Sequence, residues 1–121
     1  MPFEAHQEKE YAQDAHSIYQ AGLKATEKLG GKIVSSAPDQ LRFEARFPKV
    51  ILGKTLGERT QLACAVRAGS SGGTLMVDAF PLDALERKLM FGARKGVTQT
   101  IVTWFIAHLE YNLGMPPAQK A

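Results

Sequence analysis

Hydrophobic positions change their spacing twice along this chain. From Tyr11 to Leu29 they follow a helical period: Tyr11, Ala15, Ile18, Gly22, Ala25 and Leu29 share one face, with Tyr19 and Leu23 at its edge. Gln13, Gln20, Lys24, Glu27 and Lys28 fill the opposite side. The pattern predicts a first helix over 11–29 that presents small residues to its neighbour. Gly22 costs about 1 kcal/mol relative to Ala inside a helix, so close packing is expected there. Gly30-Gly31 then supplies the stop.

The period next becomes two. Lys32 to Ser36 predicts a short strand, and Ala37-Pro38-Asp39-Gln40 a turn. In Leu41–Phe47, Leu41, Phe43, Ala45 and Phe47 point one way and Arg42, Glu44 and Arg46 the other, which predicts a strand with one face in the core. Lys49 to Gly57 is too apolar for a plain solvent loop, yet Gly53 and Gly57 break it. A partly buried hairpin connection or an irregular edge piece is expected. Glu58 to Ala68 predicts a third strand, with Leu62, Cys64 and Val66 inward; a loop at Gly69–Gly73 leads to a fourth over Thr74–Phe80, stopped by Pro81. Pro81 to Lys95 is consistent with a short helix from Asp83 to Met90 or with an irregular crossing segment.

The longest apolar pattern comes last. In Gly96–Leu113, Val97, Ile101, Phe105, Leu109 and Leu113 descend in i,i+4 steps, and Val102, Trp104, Ile106 and Tyr111 widen the row. Gln99, Thr100, Thr103 and Glu110 mark its solvent strip. A helix this apolar must be covered along most of its length. The expected fold is therefore α+β: helix, four-stranded antiparallel sheet and long C-terminal helix (α-β-β-β-β-α), with both helices on one face of the sheet. A single domain over 1–121 is expected, ordered from about 8 to 113, with a flexible tail at 115–121.

In this order of elements, residues 8 to 113 resemble the TBP-like and helix-grip domains, in which an antiparallel sheet holds a long C-terminal helix. The resemblance implies that the space between sheet and helix can hold an apolar ligand. It rests on element order, so it carries over no site residue.

Composition changes this picture little. Hydrophobic residues make up 45% and charged residues 22% of the 121 positions, ordinary values for a globular domain. The net charge of +3 arises from interspersed acids and bases, short of the dense basic face of most nucleic-acid binders. Cys64 is the one cysteine; it has no partner for a disulfide and reads as a small core residue. The opening residues lack a secretory pattern, and no apolar run is long enough for a membrane span, so a cytoplasmic protein is expected.

Candidate chemistry is sparse. Gly53-Lys54-Thr55 looks like the end of a phosphate-binding loop, but position 48 is Pro where the motif needs Gly. Arg94 and Lys95, ahead of the last helix, are candidates for holding an anion at its N-terminus; their plainer reading is a loop whose charges face water. His108 lies inside the apolar arc near Trp104 and Phe105. It is either a ligand-contacting group or a core-edge residue hydrogen-bonded to backbone. Trp104, His108 and Tyr111 together are the candidate ligand- or partner-binding residues. Asp78 is the one aspartate in a strand that could face an enclosed space. His6 and His16 show no spacing for a metal site, HxxxH and CxxC patterns are absent, and no catalytic set or cofactor is expected.

The leading expectation is a small non-catalytic binding or protein-interaction module using the apolar surface of the C-terminal helix. Its partner would be a protein, a second copy or an apolar small molecule. The alternative is a helix-grip carrier of small molecules or lipids, or an enzyme, with a pocket near His108 and Asp78. More remote is weak nucleic-acid contact through Arg42, Arg46, Arg67, Arg94 and Lys95. Phe43 and Phe47 face away from those arginines, which removes the stacking surface that sheet-based RNA readers use.

Overall fold

A computed structural model describes residues 5–51, 53–55, 59–82 and 96–114. Its elements are β1 (Ala5–Tyr11), α1 (Ala15–Lys28), β2 (Lys32–Ala37), β3 (Arg42–Phe47), β4 (Val50–Ile51), β5 (Lys54–Thr55), β6 (Arg59–Gly69), β7 (Gly72–Leu82) and α2 (Val97–Asn112). The α+β class and the placement of both helices against one face of an antiparallel sheet agree with the sequence reading.

The strand count does not. The sheet has five strands in the order β1-β7-β6-β3-β2, all antiparallel, because the polar segment before the first helix pairs with β7 from Ala5↔Ala79 to Tyr11↔Gly73. Tyr11 accordingly belongs to β1 and not to the first helix. The helix starts at Ala15, capped by Asp14, whose carboxylate accepts from the Ser17 amide at 3.2 Å and the Ser17 hydroxyl at 2.7 Å. Those bonds, the hydroxyl's first, hold the Asp14 carboxyl below its ordinary range.

The end of α1 follows the Gly-Gly signal. Gly30 has φ +83°, its amide donates to Glu27 O, and the Gly31 amide donates to Thr26 O. Gly31 is required for a second reason: a Cβ there would stand 2.7 Å from the Phe47 ring. The small face of α1 works as its composition predicts. A Cβ on Gly22 would meet Phe105 and Phe43 at 3.4 Å and Leu109 at 3.5 Å, so the helix backbone lies against both α2 and the sheet.

In the strands, period two sorts the two faces. Phe43, Ala45 and Phe47 on β3, Leu62, Cys64 and Val66 on β6, and Leu75, Val77 and Ala79 on β7 are all buried. From the helices, Ile18, Ala25, Ile101, Phe105 and Leu109 close on them. Tyr19 meets Phe43 edge-on at 5.9 Å, and Phe43 meets Phe105 at 6.3 Å. Such pairs contribute about 0.5–1.5 kcal/mol each beyond the area they bury. The space between sheet and α2 is thus occupied by an aromatic row.

One connection is as expected and two boundaries differ. Between β3 and β6 the expected hairpin is present as β4–β5, turned at Gly53 with φ +82°; Ile51 is buried and Val50 exposed. The β6 and β7 strands run on to Gly69↔Gly72, leaving Ser70-Ser71 as the turn in place of a five-residue loop. A Cβ on Gly72 would collide with the Tyr11 carbonyl, which ties this turn to the end of β1. Pro81 does not stop β7, which continues to Leu82. It lies past the described register with β1, where a missing amide costs no ladder bond to that strand. The helix expected over Asp83–Met90 and the tail at 115–121 lie outside the described residues.

Candidate functional site

The last helix begins at Gly96, which has φ +87° and caps it without a side chain; Thr100 Oγ1 donates back to the Gly96 carbonyl at 2.8 Å. Val97, Ile101, Phe105 and Leu109 form the buried row that their spacing predicts. Val102 and Ile106 are buried as well, turned toward the β1 side, and the next residue on that line is Glu110.

Glu110 is not part of a solvent strip. Its Oε2 accepts from Lys9 Nζ at 2.9 Å and from the Tyr11 hydroxyl at 2.7 Å, and its side chain is 14% exposed. Burial works against ionisation of this carboxyl. The bonds from Tyr11 and Lys9, with the Lys9 charge, outweigh it and hold the group below its ordinary range. For Tyr11, burial first and the Glu110 carboxylate second push the phenol well above its ordinary range. The arrangement clasps α2 to β1. A sequence signal for it did exist: Glu110 stands four and eight residues after Ile106 and Val102 on an apolar row, where a carboxylate needs donors.

Beyond that clasp, the outward flank of α2 forms one wall of an open groove of about 1080 Å³. It is lined by Gln7 and Lys9 of β1, by Lys24, Glu27 and Lys28 of α1, and by Val102, Thr103, Ile106, Ala107, His108, Glu110, Tyr111 and Asn112 of α2. On its α1 side, Asn112 Nδ2 donates to the Ala21 carbonyl at 3.2 Å, fixing the end of α2 against α1. The groove therefore has an apolar floor and a rim of lysines interrupted by two carboxylates.

The structure distributes the sequence candidates unevenly. His108 and Tyr111 line this groove; His108 is half-buried and Tyr111 is 74% exposed. Trp104 is half-buried too, but packs against the core and is not part of the lining. Arg94 and Lys95 lie outside the described residues. Asp78 corrects the expectation of a pocket shared with His108. It stands on the outer face of the sheet, away from both helices, with Oδ1 2.6 Å from His6 Nδ1. Both side chains are more than half exposed, where such a pair contributes little. Cys64 is buried, and burial pushes its thiol up to about 12.

The outer face holds a second depression, of about 620 Å³, over Ala63 and Ala65 and between Arg42, Glu44, Arg67, Met76 and Asp78. Its charges alternate. Arg46 donates to Gln61 at 3.1 Å and Gln61 to Glu44 at 2.8 Å, while Arg67 contacts the Met76 sulfur at 3.6 Å. Among the described residues, no three His, Cys, Asp or Glu side chains gather as metal ligands would. No described helix is long and apolar enough to cross a membrane.

No protein-family model matches the chain, and no curated protein sequence matches it. Solved structures do. Ara h 8.0201 superposes with a TM-score of 0.57 at 10% identity, over 92% of this chain and 97% of that one. The protein NE0264 from Nitrosomonas europaea gives 0.53 at 9%, over 93% and 95%. The di-domain ARO/CYC BexL from the BE-7585A biosynthetic pathway gives 0.53 at 10% over 92% of this chain, which spans 46% of its length. At these identities the likeness establishes a shared fold, of the general helix-grip class.

Proposed function

We propose that this chain is a small non-catalytic binding module whose ligand or protein partner is held in the groove along the outward flank of α2. The observation that carries this reading is the contrast between the two sides of that helix. Toward the sheet, Phe105 and Leu109 are fully buried against an occupied core. Away from it, His108, Ala107 and Tyr111 border about 1080 Å³ of open space. A concave site with an apolar floor and a few placed polar groups is the usual form of a binding surface, and an exposed tyrosine is a favoured anchor in interfaces.

The same contrast weighs against a cavity beneath α2 like the one the helix-grip resemblance implies. BexL, a neighbour in fold, belongs to a biosynthetic pathway, but in this chain the aromatic row Tyr19–Phe43–Phe105 fills the position such a cavity would take. Nucleic-acid contact through the outer face is disfavoured by Glu44 and Asp78, which stand among its arginines.

Size-exclusion with light scattering, combined with titration of an anionic apolar dye, tests the proposal. Saturable dye binding that Tyr111→Glu weakens, with unchanged melting, is the expected result. A monomer at high micromolar concentration that binds no dye contradicts it.

A further inference from the structure

The outer face of the sheet, turned away from both helices, separates its charges along the strands. On β6, the middle strand, the outward residues Ala63 and Ala65 are small, and the depression of about 620 Å³ lies over them. The register sets Glu44 of β3 and Asp78 of β7 on either side of Ala63. Arg42 and Met76 flank Ala65 in the same way. Arg67, two residues further along β6, is turned toward that row, with its Nη1 3.6 Å from the Met76 sulfur. One end of the depression is therefore basic and the other acidic. The ends do not neutralise each other. Among the described residues neither arginine forms an ion pair, while Glu44 accepts from Gln61 and Asp78 stands against His6.

We propose that this depression binds a small zwitterion, a molecule carrying a carboxylate and an ammonium group about 7 Å apart, the distance along one strand between the rows of Ala63 and Ala65. Charge complementarity selects this occupant. The carboxylate lies over Ala65 between Arg42 and Arg67, whose guanidinium groups offer paired N–H donors. The ammonium group lies over Ala63 between Glu44 and Asp78. The alanine methyls and the Met76 side chain meet the methylenes that join the two ends. Two arginines face two carboxylates across the lining, so neither a plain anion nor a plain cation is favoured by its overall charge. Only a ligand with both signs gains at both ends. Each of these exposed pairs contributes little alone, so binding is weak and needs both. Extended 5-aminopentanoate spans the two rows, whereas glycine, with its charges on neighbouring atoms, does not. The site lies across the sheet from the α2 groove and stands or falls separately from it.

An NMR titration of the labelled protein with 5-aminopentanoate tests the proposal, with pentanoate, pentylammonium and glycine as comparisons. Saturable shifts centred on Ala63 and Ala65, with α2 unmoved, are expected. Pentanoate and pentylammonium each lack one charge, and glycine is too short, so all three should bind several-fold more weakly. Arg42→Gln and Asp78→Asn should each weaken 5-aminopentanoate several-fold without changing the melting temperature. The proposal is overturned by the absence of a saturable shift at any soluble concentration, or by any comparison compound binding as well as 5-aminopentanoate. A variant that binds it as the parent protein does overturns the proposal too.

Discussion

The outermost strands β1 and β2 occupy equivalent positions in the sheet yet are held in opposite ways. β1 is polar along both faces and gains its place from elsewhere: Tyr11 closes over the Gly72 turn, and Lys9 and Tyr11 bind Glu110 of α2. β2 makes few such ties and follows β3 through the short turn at Pro38–Gln40, with Leu41 in the left-handed region at φ +56°. An edge strand can thus be fixed by specific polar bonds to another layer or by no more than its ladder to one neighbour and the short turn that joins them. The first arrangement orders a neighbouring helix, and the second leaves an edge open.

Substitutions can break this contrast, beginning where β1 is most tightly held. Gly73 pairs with Tyr11, and a Cβ there would stand 2.8 Å from Ile18 and 3.1 Å from the Ala15 backbone. Gly73→Val should cost about 3 kcal/mol in urea unfolding, the upper part of the range for overpacking. Glu110→Ala strands the Tyr11 hydroxyl and Lys9, and should cost about 2 kcal/mol. Tyr11→Phe removes one bond to that carboxylate and keeps the ring, so a loss of about 1 kcal/mol is expected. At the other edge, Val34→Lys should stay within about 0.5 kcal/mol of the parent protein, as an exposed position does. Equal losses at the two edges would erase the comparison.

Acid titration sharpens it. The Glu110 carboxyl is lowered from its ordinary value of 4.5, so its contribution is present in full above that value and disappears as pH falls through the lowered one. The stability gap between the parent protein and Glu110→Ala should be constant near neutrality and narrow below pH 4.5. A gap that widens on acidification would contradict the clasp.

These strands also mark how far the amino-acid pattern could be read. β3 was legible because one face is apolar and the other charged, and β6 because Leu62, Cys64 and Val66 alternate with residues that are polar or small. β1 was not, since Ala5 and Tyr11 are its only buried residues and Gln7 and Lys9 stand on the inner side at an exposed rim. Missing β1 made Glu110 look like a surface residue, and its partners became visible only when the strand was in place. Asp78 failed for a related reason. Which side of β7 faces the helices is set by pairing, and Leu75, Val77 and Ala79 took the inner side. On α2 the buried row was readable residue by residue. The outer flank, where Trp104 turns to the core while His108 and Tyr111 border the groove, depended on where α1 and β1 lie beside it.

Whether the outward flank of α2 is a binding surface is tested most directly by an NMR titration of the labelled protein with an anionic apolar dye. Saturable shifts confined to Val102–Asn112, to Lys24–Lys28 and to Gln7–Lys9, with the other strands unmoved, are the predicted result. Shifts centred on the outer face around Ala63 and Ala65, or no saturable shift at any concentration, would contradict it.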